Sequence, residues 1–371
     1  MTLAAPASAP ARRFSPLLAP GLALAALLLS LCCHSPRLWA FARPLPGSAY
    51  WDRGLEFMRQ VEQPLRVELR DPGLTWRLAP ALLAHGLGLR GTAALAVPWA
   101  GLAALLWYGA HLALRLTGDW RLAGLFTGLL ATTSATLTVT GWLGMNDAWY
   151  VLALLAAAYA RPTAAWLPAL FLGPWIDERF LFGLPLALWL RARTAPPGSL
   201  RPALLAAAAA VGAYLALRLT NAPGLPQAGV RTYLRHSLRH FPDWLPFAAL
   251  GWLMGQRAAW YFTVRPIVAA FRADRREGLL LASLALAPLA ALTLVAADTG
   301  RAPSLLLPLA FLGCAQLAAT GPAGRAHRLA AGLLAANLLL PAMHVTYRNV
   351  DFINALPVEL WRCLRAVPAG T

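Results

Sequence analysis

Long apolar runs separated by short clusters of arginine constrain the fold of this chain more than any other feature. The runs recur between residues 17 and 343, and several are long enough to cross a bilayer as helices. Hydrophobic residues occupy 59% of the 371 positions and charged residues only 13%, which is too apolar for an ordinary soluble domain. The pattern therefore predicts an all-α polytopic membrane protein.

The charge pattern also belongs to a membrane protein. A net charge of +17 is typical of some nucleic-acid-binding proteins. Here, however, the arginines lie in small groups between apolar runs, which is the pattern of membrane loops, so nucleic acid is not expected as a partner. The composition, rich in Ala, Leu, Arg, Gly and Pro, is typical of a GC-rich bacterial genome, and the expected location is the bacterial inner (cytoplasmic) membrane.

The arginine clusters orient the spans. Arg12 and Arg13 precede the first run, so the tail of residues 1–16 is expected in the cytoplasm. About eleven spans are then expected within residues 17–343, with the tail 344–371 on the outer side. Large outer loops are expected at 34–91, with short surface helices near 50–60 and 76–89, and at 220–257, where a basic loop leads into a surface helix at 244–256.

The acidic residues are distributed unevenly across this topology. Of the fifteen, only Asp119, Asp274 and Glu277 fall on the expected inner side. Acidic residues contribute little to membrane orientation, so insertion does not force this bias. The bias predicts a polar working surface on the outer face.

Three adjacent ionisable residues, Asp177, Glu178 and Arg179, separate two apolar runs. A charged side chain at the centre of a membrane helix costs about 2.5–3.5 kcal/mol, so the triplet is not expected to face lipid there. It forms either a tight turn in water or one wall of a polar cavity. The flanking Gly173-Pro174 and Gly183-Leu184-Pro185 favour broken helices around a cavity. The triplet is expected to contain an internal ion pair with one spare carboxylate and to position a substrate.

Two further polar turns border predicted spans. Either residue of Asn146-Asp147 is a good N-cap for the helix that follows, and the alternative is that Asp147 faces a polar cavity. In the turn from Asp298 to Arg301, the two charged residues can pair with each other. Alternatively, Arg301 can grip a phosphate through its planar guanidinium group.

A basic stripe is expected on the second large outer loop. Arg231, Arg235 and Arg239 are spaced four residues apart and would share one face of a helix. Anionic lipid headgroups are the simpler ligand for such a stripe. A lipid-linked phosphate or pyrophosphate is the more specific one.

The order of these features resembles bacterial membrane glycosyltransferases of the GT-C class, including protein mannosyltransferase and lipid A aminosugar transferase relatives. The segment Leu78–Leu83, with Pro80, runs into Gly88 and Gly91 and is similar to the surface helix that precedes the second span of that class. The stretch from Leu143 to Asp147, which includes Gly144, is similar to a motif in which glycine precedes an aspartate ahead of a later span. The likeness covers residues 17–220 and is weaker beyond them.

The resemblance implies a GT-C-like fold and transfer of a sugar from a polyprenyl-phosphate donor. The acceptor would be an envelope lipid, glycan or protein on the outer face. It also implies that an acidic residue of the first outer loop is the catalytic base, which here is Asp52. The chain departs from the class because Arg53 follows Asp52 where a second acidic residue is common, and because it is short and has no sizeable C-terminal soluble domain.

The resulting site would combine the base with two sets of binding residues. Arg301 and the stripe would hold the departing phosphate, while the Asp177–Arg179 triplet would shape the cavity beside Asp147 and Asp298. No cofactor is expected, although the carboxylates leave a divalent metal open. The alternative is a non-catalytic lipid or polysaccharide transporter or an envelope assembly component. The absence of a convincing internal repeat favours an enzyme over a transporter.

Overall fold

The computed structural model describes residues 14–37, 49–65, 75–195, 198–219, 230–295, 298–346 and 349–366. Most of the expected cytoplasmic tail of residues 1–16 lies outside these ranges. Asp52 and Arg231 lie in helices, but their side chains are also outside the described part of the structure.

The described chain is predominantly helical, which confirms the predicted all-α class. The helices of the first half are α1 (Leu18–Cys33), α2 (Ala49–Glu62), α3 (Leu78–Gly86), α4 (Ala96–Thr117), α5 (Trp120–Ala131), α6 (Ser134–Gly141), α7 (Asp147–Tyr159), α8 (Thr163–Ile176) and α9 (Arg179–Thr194). Those of the second half are α10 (Leu200–Leu219), α11 (Val230–Gln256), α12 (Trp260–Ala273), α13 (Arg275–Val295), α14 (Leu307–Ala319), α15 (Ala323–Leu339) and α16 (Leu356–Ala366). Short 3₁₀ turns lie at Gly91–Leu95, Arg257–Ala259 and Ala302–Leu306.

Only some of these helices are long enough to cross a membrane unaided. Within the described residues, four are both long and apolar enough: Gly91–Thr117, Leu200–Arg218, Arg275–Leu294 and Ala302–Ala319. Helices α5 and α6 form a fifth candidate if they count as one span bent by 49°. Three further apolar helices, α1, α7 and α8, are shorter. The structure therefore supports a membrane protein. Helix length by itself does not establish the predicted eleven spans.

Helix α11 differs from the prediction for the second large loop. Residues 230–256 form one continuous helix, whereas a basic loop as far as Asp243 and a separate helix over 244–256 were expected. The predicted break at Arg257 is present. That residue has a left-handed backbone (φ 50°), and its buried guanidinium group donates to the carbonyl oxygens of Thr132, Asn337 (2.7 Å) and Leu340 (3.0 Å). These carbonyls follow or end helices α5 and α15, whose dipoles favour a cation there.

The loops meet in two groups at opposite ends of the helices. At one end, Arg193 on α9 pairs with Glu277 on α13 at 2.6 Å, and His327 on α15 lies 2.6 Å from Asp119. At the other end, the turns that contain Asp177 and Asp298 meet the chain that follows α15. We call this the hairpin end.

The region after α15 is a β-hairpin followed by a helix, in place of the expected tail. The predicted span at 329–343 ends at Leu339, and strands β1 (Ala342–Thr346) and β2 (Asn349–Ile353) then pair in antiparallel register. Ala342 and Ile353 pack with Leu137 and Trp142, and the backbone N–H of Gly300 donates to the carbonyl oxygen of Val345 at 3.1 Å. The hairpin therefore closes this end of the helices.

Candidate functional site

Eight charged residues converge at the hairpin end, although they come from distant parts of the sequence. They form a continuous set of ion pairs that we call the ion cluster: Arg77, Asp147, Asp177, Glu178, Arg179, Arg218, Asp298 and Arg301. The six predicted binding residues on the spans and their turns were expected to share an outer cavity. The structure joins all six in one network, in which Arg77 connects Glu178 to Asp177.

Arg301 and Asp147 form the centre of the ion cluster. The Nε and Nη2 atoms of Arg301 donate to the two carboxylate oxygens of Asp147 at 2.8 and 2.6 Å, a bidentate geometry. Its Nη1 donates to Asp298 at 2.7 Å. Arg179 approaches the same two carboxylates, at 3.0 Å from Asp147 and 3.4 Å from Asp298. Each carboxylate is thus shared between two guanidinium groups.

The Asp177–Arg179 triplet extends the ion cluster towards the first loop. Arg77 lies 3.1 Å from Asp177 and 3.2 Å from Glu178, while Arg218 lies 3.1 Å from the other oxygen of Glu178. Within the triplet, Arg179 lies 3.7 Å from Asp177. The predicted internal pair is therefore present, but Glu178 is not a spare carboxylate.

Helix termini explain why two of these carboxylates lie where they do. Asp147 is the first residue of α7, and Asp177 accepts a hydrogen bond from the backbone N–H of Arg179 (3.0 Å) at the start of α9. Both positions place a negative charge at the positive end of a helix dipole. The predicted N-cap position is confirmed, because Asn146 occupies it, although its side chain makes no capping hydrogen bond.

The glycines beside the triplet do not break the helices as expected. Gly173 and Pro174 lie inside α8, and Gly183 and Pro185 lie inside α9. A Cβ atom on Gly173 would lie 2.5 Å from the ring of Phe180. This glycine therefore allows the two helices to meet closely, and only Asp177 and Glu178 separate them.

The centre of the ion cluster is removed from solvent. Asp147 and Arg301 are each 1% exposed, and Asp177 is 2% exposed. A buried charge without a partner is strongly destabilising, but the four arginines here match the four carboxylates. The ion cluster is therefore electrically balanced. Because all three guanidinium nitrogens of Arg301 face carboxylates, its geometry supports a structural role and not the expected phosphate contact.

The surrounding charges shift the pKa values of the acidic groups. Burial alone would raise the pKa of Asp177, but the guanidinium groups of Arg179, Arg77 and Arg301 outweigh burial and lower it. Asp298 likewise has a lowered pKa, because Arg301, His344 and Arg179 outweigh burial. His344, on β1, lies 3.4 Å from Asp298, and burial lowers its pKa.

Acidification is expected to lower the unfolding temperature of the purified protein in two stages. Below the ordinary His pKa of 6.5, the unfolded state binds a proton that buried His344 does not, so stability falls. Asp177 and Asp298 stabilise the fold above their ordinary pKa of 3.8, and this contribution is lost as pH falls further towards their folded values. Thermal unfolding in detergent from pH 8 to pH 2 measures both stages. The variant His344→Gln should show a smaller first stage, to which buried His34 with its lowered pKa also contributes, and an unchanged second stage. An unchanged pH profile in that variant would contradict the assignment.

A small cavity of about 10 Å³, partly open to solvent, adjoins the ion cluster. Arg53, Phe57 and Gln60 of α2 line one side, Arg77 lines another, and the turn from Gly144 to Asn146 completes it. A volume of about 10 Å³ holds a single water molecule, so a larger ligand would bind at the open side of the cavity. Arg77 belongs to both features, so the carboxylates of Asp177 and Glu178 fix one wall of the cavity.

The cavity depends on a close approach between α2 and the turn before α7. Gly144 has a left-handed backbone (φ 76°), and a Cβ atom there would lie 3.0 Å from the carbonyl oxygen of Arg53. Glycine is the residue that tolerates both constraints. Within the described structure, the Oδ1 atom of Asn146 is buried without a hydrogen-bond partner, which provides an acceptor beside the cavity.

The remaining predicted site residues lie elsewhere or are not described. Asp52 belongs to the first turn of α2, immediately before Arg53, but its side chain is outside the described residues. Arg235 and Arg239 are exposed on α11, and no ion pair joins either of them to the ion cluster among the described contacts. The Arg231 side chain is likewise not described. The basic stripe is therefore not part of the cavity as the structure describes it.

Sequence reasoning missed three contributors to this region. Arg77 and Arg218 complete the ion cluster, and His344 packs between Asp298 and the ring of Trp142, whose centre is 4.6 Å away. One signal could have indicated Arg218. It ends a predicted span on the outer side of the membrane, where most of the carboxylates are expected. Among the described residues, no group of three or more His, Cys, Asp or Glu side chains is arranged to hold a metal.

Comparison of the chain with models of known protein families gave no match. Comparisons with curated proteins and with solved structures also gave no match.

Proposed function

We propose that this protein is a membrane glycosyltransferase that moves a sugar from a polyprenyl-phosphate donor to an envelope lipid, glycan or protein. The observation that carries the proposal is the cavity between α2, Arg77 and the Gly144–Asn146 turn. It combines two guanidinium groups with two side-chain amides. Guanidinium groups suit a phosphate, and amides suit sugar hydroxyl groups.

The ion cluster supports this proposal because it fixes the position of Arg77 in the cavity wall. Arg77 is held by two carboxylates, so its position does not depend on a ligand. Such preorganised charge stabilises a phosphate that gains negative charge as the sugar departs. In this scheme Arg53 and Arg77 take the role first expected of Arg301.

Asp52 remains the proposed base. It directly precedes the cavity residue Arg53 in α2, and its carboxylate would accept the proton of the acceptor hydroxyl as the new glycosidic bond forms. Asp177 and Asp298 of the ion cluster are poorer bases, because the arginines that they contact lower the pKa of each carboxyl group. The leaving group would be the polyprenyl phosphate.

The proposal places the hairpin end on the outer face and retains about eleven membrane crossings, with the shorter helices counted as spans. Two facts support it. The loops expected inside meet through the Arg193–Glu277 and His327–Asp119 pairs, and the turns expected outside meet in the ion cluster. The basic residues flanking the first group follow the usual preference of cytoplasmic loops for arginine.

Asp52→Asn is expected to reduce sugar transfer by about 10²–10⁴-fold, the usual contribution of a general base. The assay uses the purified protein in proteoliposomes with radiolabelled polyprenyl-phosphate pentoses and hexoses, and with envelope extract as the acceptor source. Transfer is measured as label that becomes stable to mild acid. Glu62→Gln, an exposed change on the same helix, is the matched control and should retain activity.

Binding of unglycosylated polyprenyl phosphate separates catalysis from recognition. Asp52→Asn should still bind it, whereas Arg53→Gln should bind it more weakly than the exposed control Arg59→Gln. Full activity in Asp52→Asn would remove this residue from the mechanism. Binding by the native protein without transfer of any sugar tested would instead favour a non-catalytic lipid-binding protein.

A further inference from the structure

The last helix of the described chain, α16, exposes an apolar face. Leu360, Trp361 and Leu364 are 48%, 55% and 72% exposed, and Val358 is 44% exposed. On a helical wheel, Leu360, Trp361 and Leu364 fall within one third of the circumference. On the opposite side of the helix, Glu359 is 0% exposed, and Leu356 and Cys363 beside it are half-buried. Helix α16 is therefore amphipathic, and its apolar side faces away from the rest of the protein.

Polar contacts fix the orientation of this helix. Asn354, just before α16, donates to the Glu359 carboxylate at 2.6 Å, and its carbonyl oxygen accepts from the backbone N–H of Ser35 at 2.8 Å. Arg37 donates to the carbonyl oxygen of Phe352 at 3.1 Å. The hairpin and α16 are thus attached to the chain that follows α1, and the exposed apolar face is not free to turn inward.

We propose that α16 lies in the headgroup region of the bilayer leaflet at the hairpin end and binds anionic phospholipid. The apolar face is adjacent to α1, which packs against α16 and exposes Leu24 and Leu28 by 58% and 53%. Exposed leucines on an apolar helix of this kind form the surface that meets lipid chains. The face of α16 continues that surface at the level where the helix ends.

The edge of α16 carries the charge that suits this position. The Arg365 guanidinium group lies 4.5 Å from the centre of the Trp361 ring and is exposed. Arg362, whose side chain is 51% exposed, lies 3.6 Å from Glu359. An amphipathic helix with tryptophan and leucine on one face and arginine beside them is typical of helices that lie in a membrane interface. The arginines would meet lipid phosphate while the leucines enter the acyl boundary.

This placement has a consequence for the ion cluster. The strand that carries His344 is connected through β2 to α16, so lipid that holds α16 also holds the hairpin against Asp298. The lipid anchor is independent of the proposed sugar transfer. It requires only that the protein resides in a bilayer.

Spin labels can test the depth of α16. A nitroxide would be attached to Leu364→Cys in a full-length protein with Cys32→Ser, Cys33→Ser, Cys314→Ala and Cys363→Ser, reconstituted into vesicles of phosphatidylglycerol and phosphatidylcholine. The label should be several-fold more accessible to oxygen than to a water-soluble nickel complex. A label at Gln63→Cys, an exposed position after α2, should show the opposite preference.

Lipid charge provides the second measurement. In the protein with its native cysteines, Arg365→Gln should reduce the ratio of phosphatidylglycerol to phosphatidylcholine binding by about fivefold. This is the usual effect of one interfacial arginine. Arg59→Gln, on the exposed side of α2, should leave the preference unchanged. A Leu364 label that is as water-accessible as the Gln63 label would overturn the proposal. Protection of that label only in crosslinked dimers would also overturn it, in favour of a second copy of the chain.

Discussion

Arg301→Met should lower the free energy of unfolding by about 3–5 kcal/mol, the usual effect of removing one partner from a buried ion pair. Arg301 is 1% exposed, and its guanidinium group contacts Asp147 at 2.6 Å and Asp298 at 2.7 Å. Without it, Arg179 is the one ion-pair partner of Asp147 that remains among the described residues. Chemical unfolding in detergent, followed by intrinsic fluorescence, measures the loss.

Two further variants show whether the charge or the packing is responsible. The double variant Arg301→Met with Asp147→Leu should recover part of the loss, because it removes both members of the pair. Arg239→Met, at an exposed position on α11, should change stability by less than about 0.5 kcal/mol. If Arg301→Met were as stable as the native protein, the ion cluster could not be the buried, balanced network described above.

Gly313→Ala is expected to destabilise the protein by about 1–3 kcal/mol or more through overpacking between helices α12 and α14. A Cβ atom at this position would lie 1.9 Å from the carbonyl oxygen of Phe262 and 2.8 Å from its carbonyl carbon. These are backbone atoms of the neighbouring helix, so no side-chain rotation relieves the clash. The two helices would have to separate, and the packing around Phe262 would be lost.

Gly332→Ala on α15 is the matched control. In the described part of the chain, no atom other than its chain neighbours and the adjacent backbone of α15 lies within 4 Å of the position that its Cβ would occupy. Alanine also favours a helix over glycine by up to about 1 kcal/mol, so this variant should be unchanged or slightly more stable. Comparing the thermal unfolding of the two variants tests the helix contact directly. Equal stability would contradict the close approach at Gly313.

The structure also changes the interpretation of the predicted binding residues. Asp147, Asp177, Asp298 and Arg301 looked like ligand groups because they stood out in an apolar sequence. In the fold they satisfy one another, and the cavity is lined by residues of the first loop and of the turn before α7. The ion cluster therefore supports the cavity wall at Arg77 and is not itself the cavity lining.

Hydrophobic periodicity and arginine placement alone determined the all-α membrane class and most helix positions, because lipid allows few alternatives for a run of apolar residues. They also placed Ala49–Glu62 and Leu78–Gly86 as short helices. The sequence singled out the charged turns at 147, 177 and 298, since each is costly in an apolar setting. These inferences need only local composition.

Only the tertiary structure decided which charges pair with one another. Arg301 meets Asp147 across 154 residues, and Arg77 meets Asp177 across a hundred, so no local pattern encodes either contact. The hairpin at residues 342–353 was missed for a related reason: a short strand is stable here because it packs on Trp142 and Gly300. Pairing between distant groups depends on how the helices pack, and that packing is a property of the whole chain.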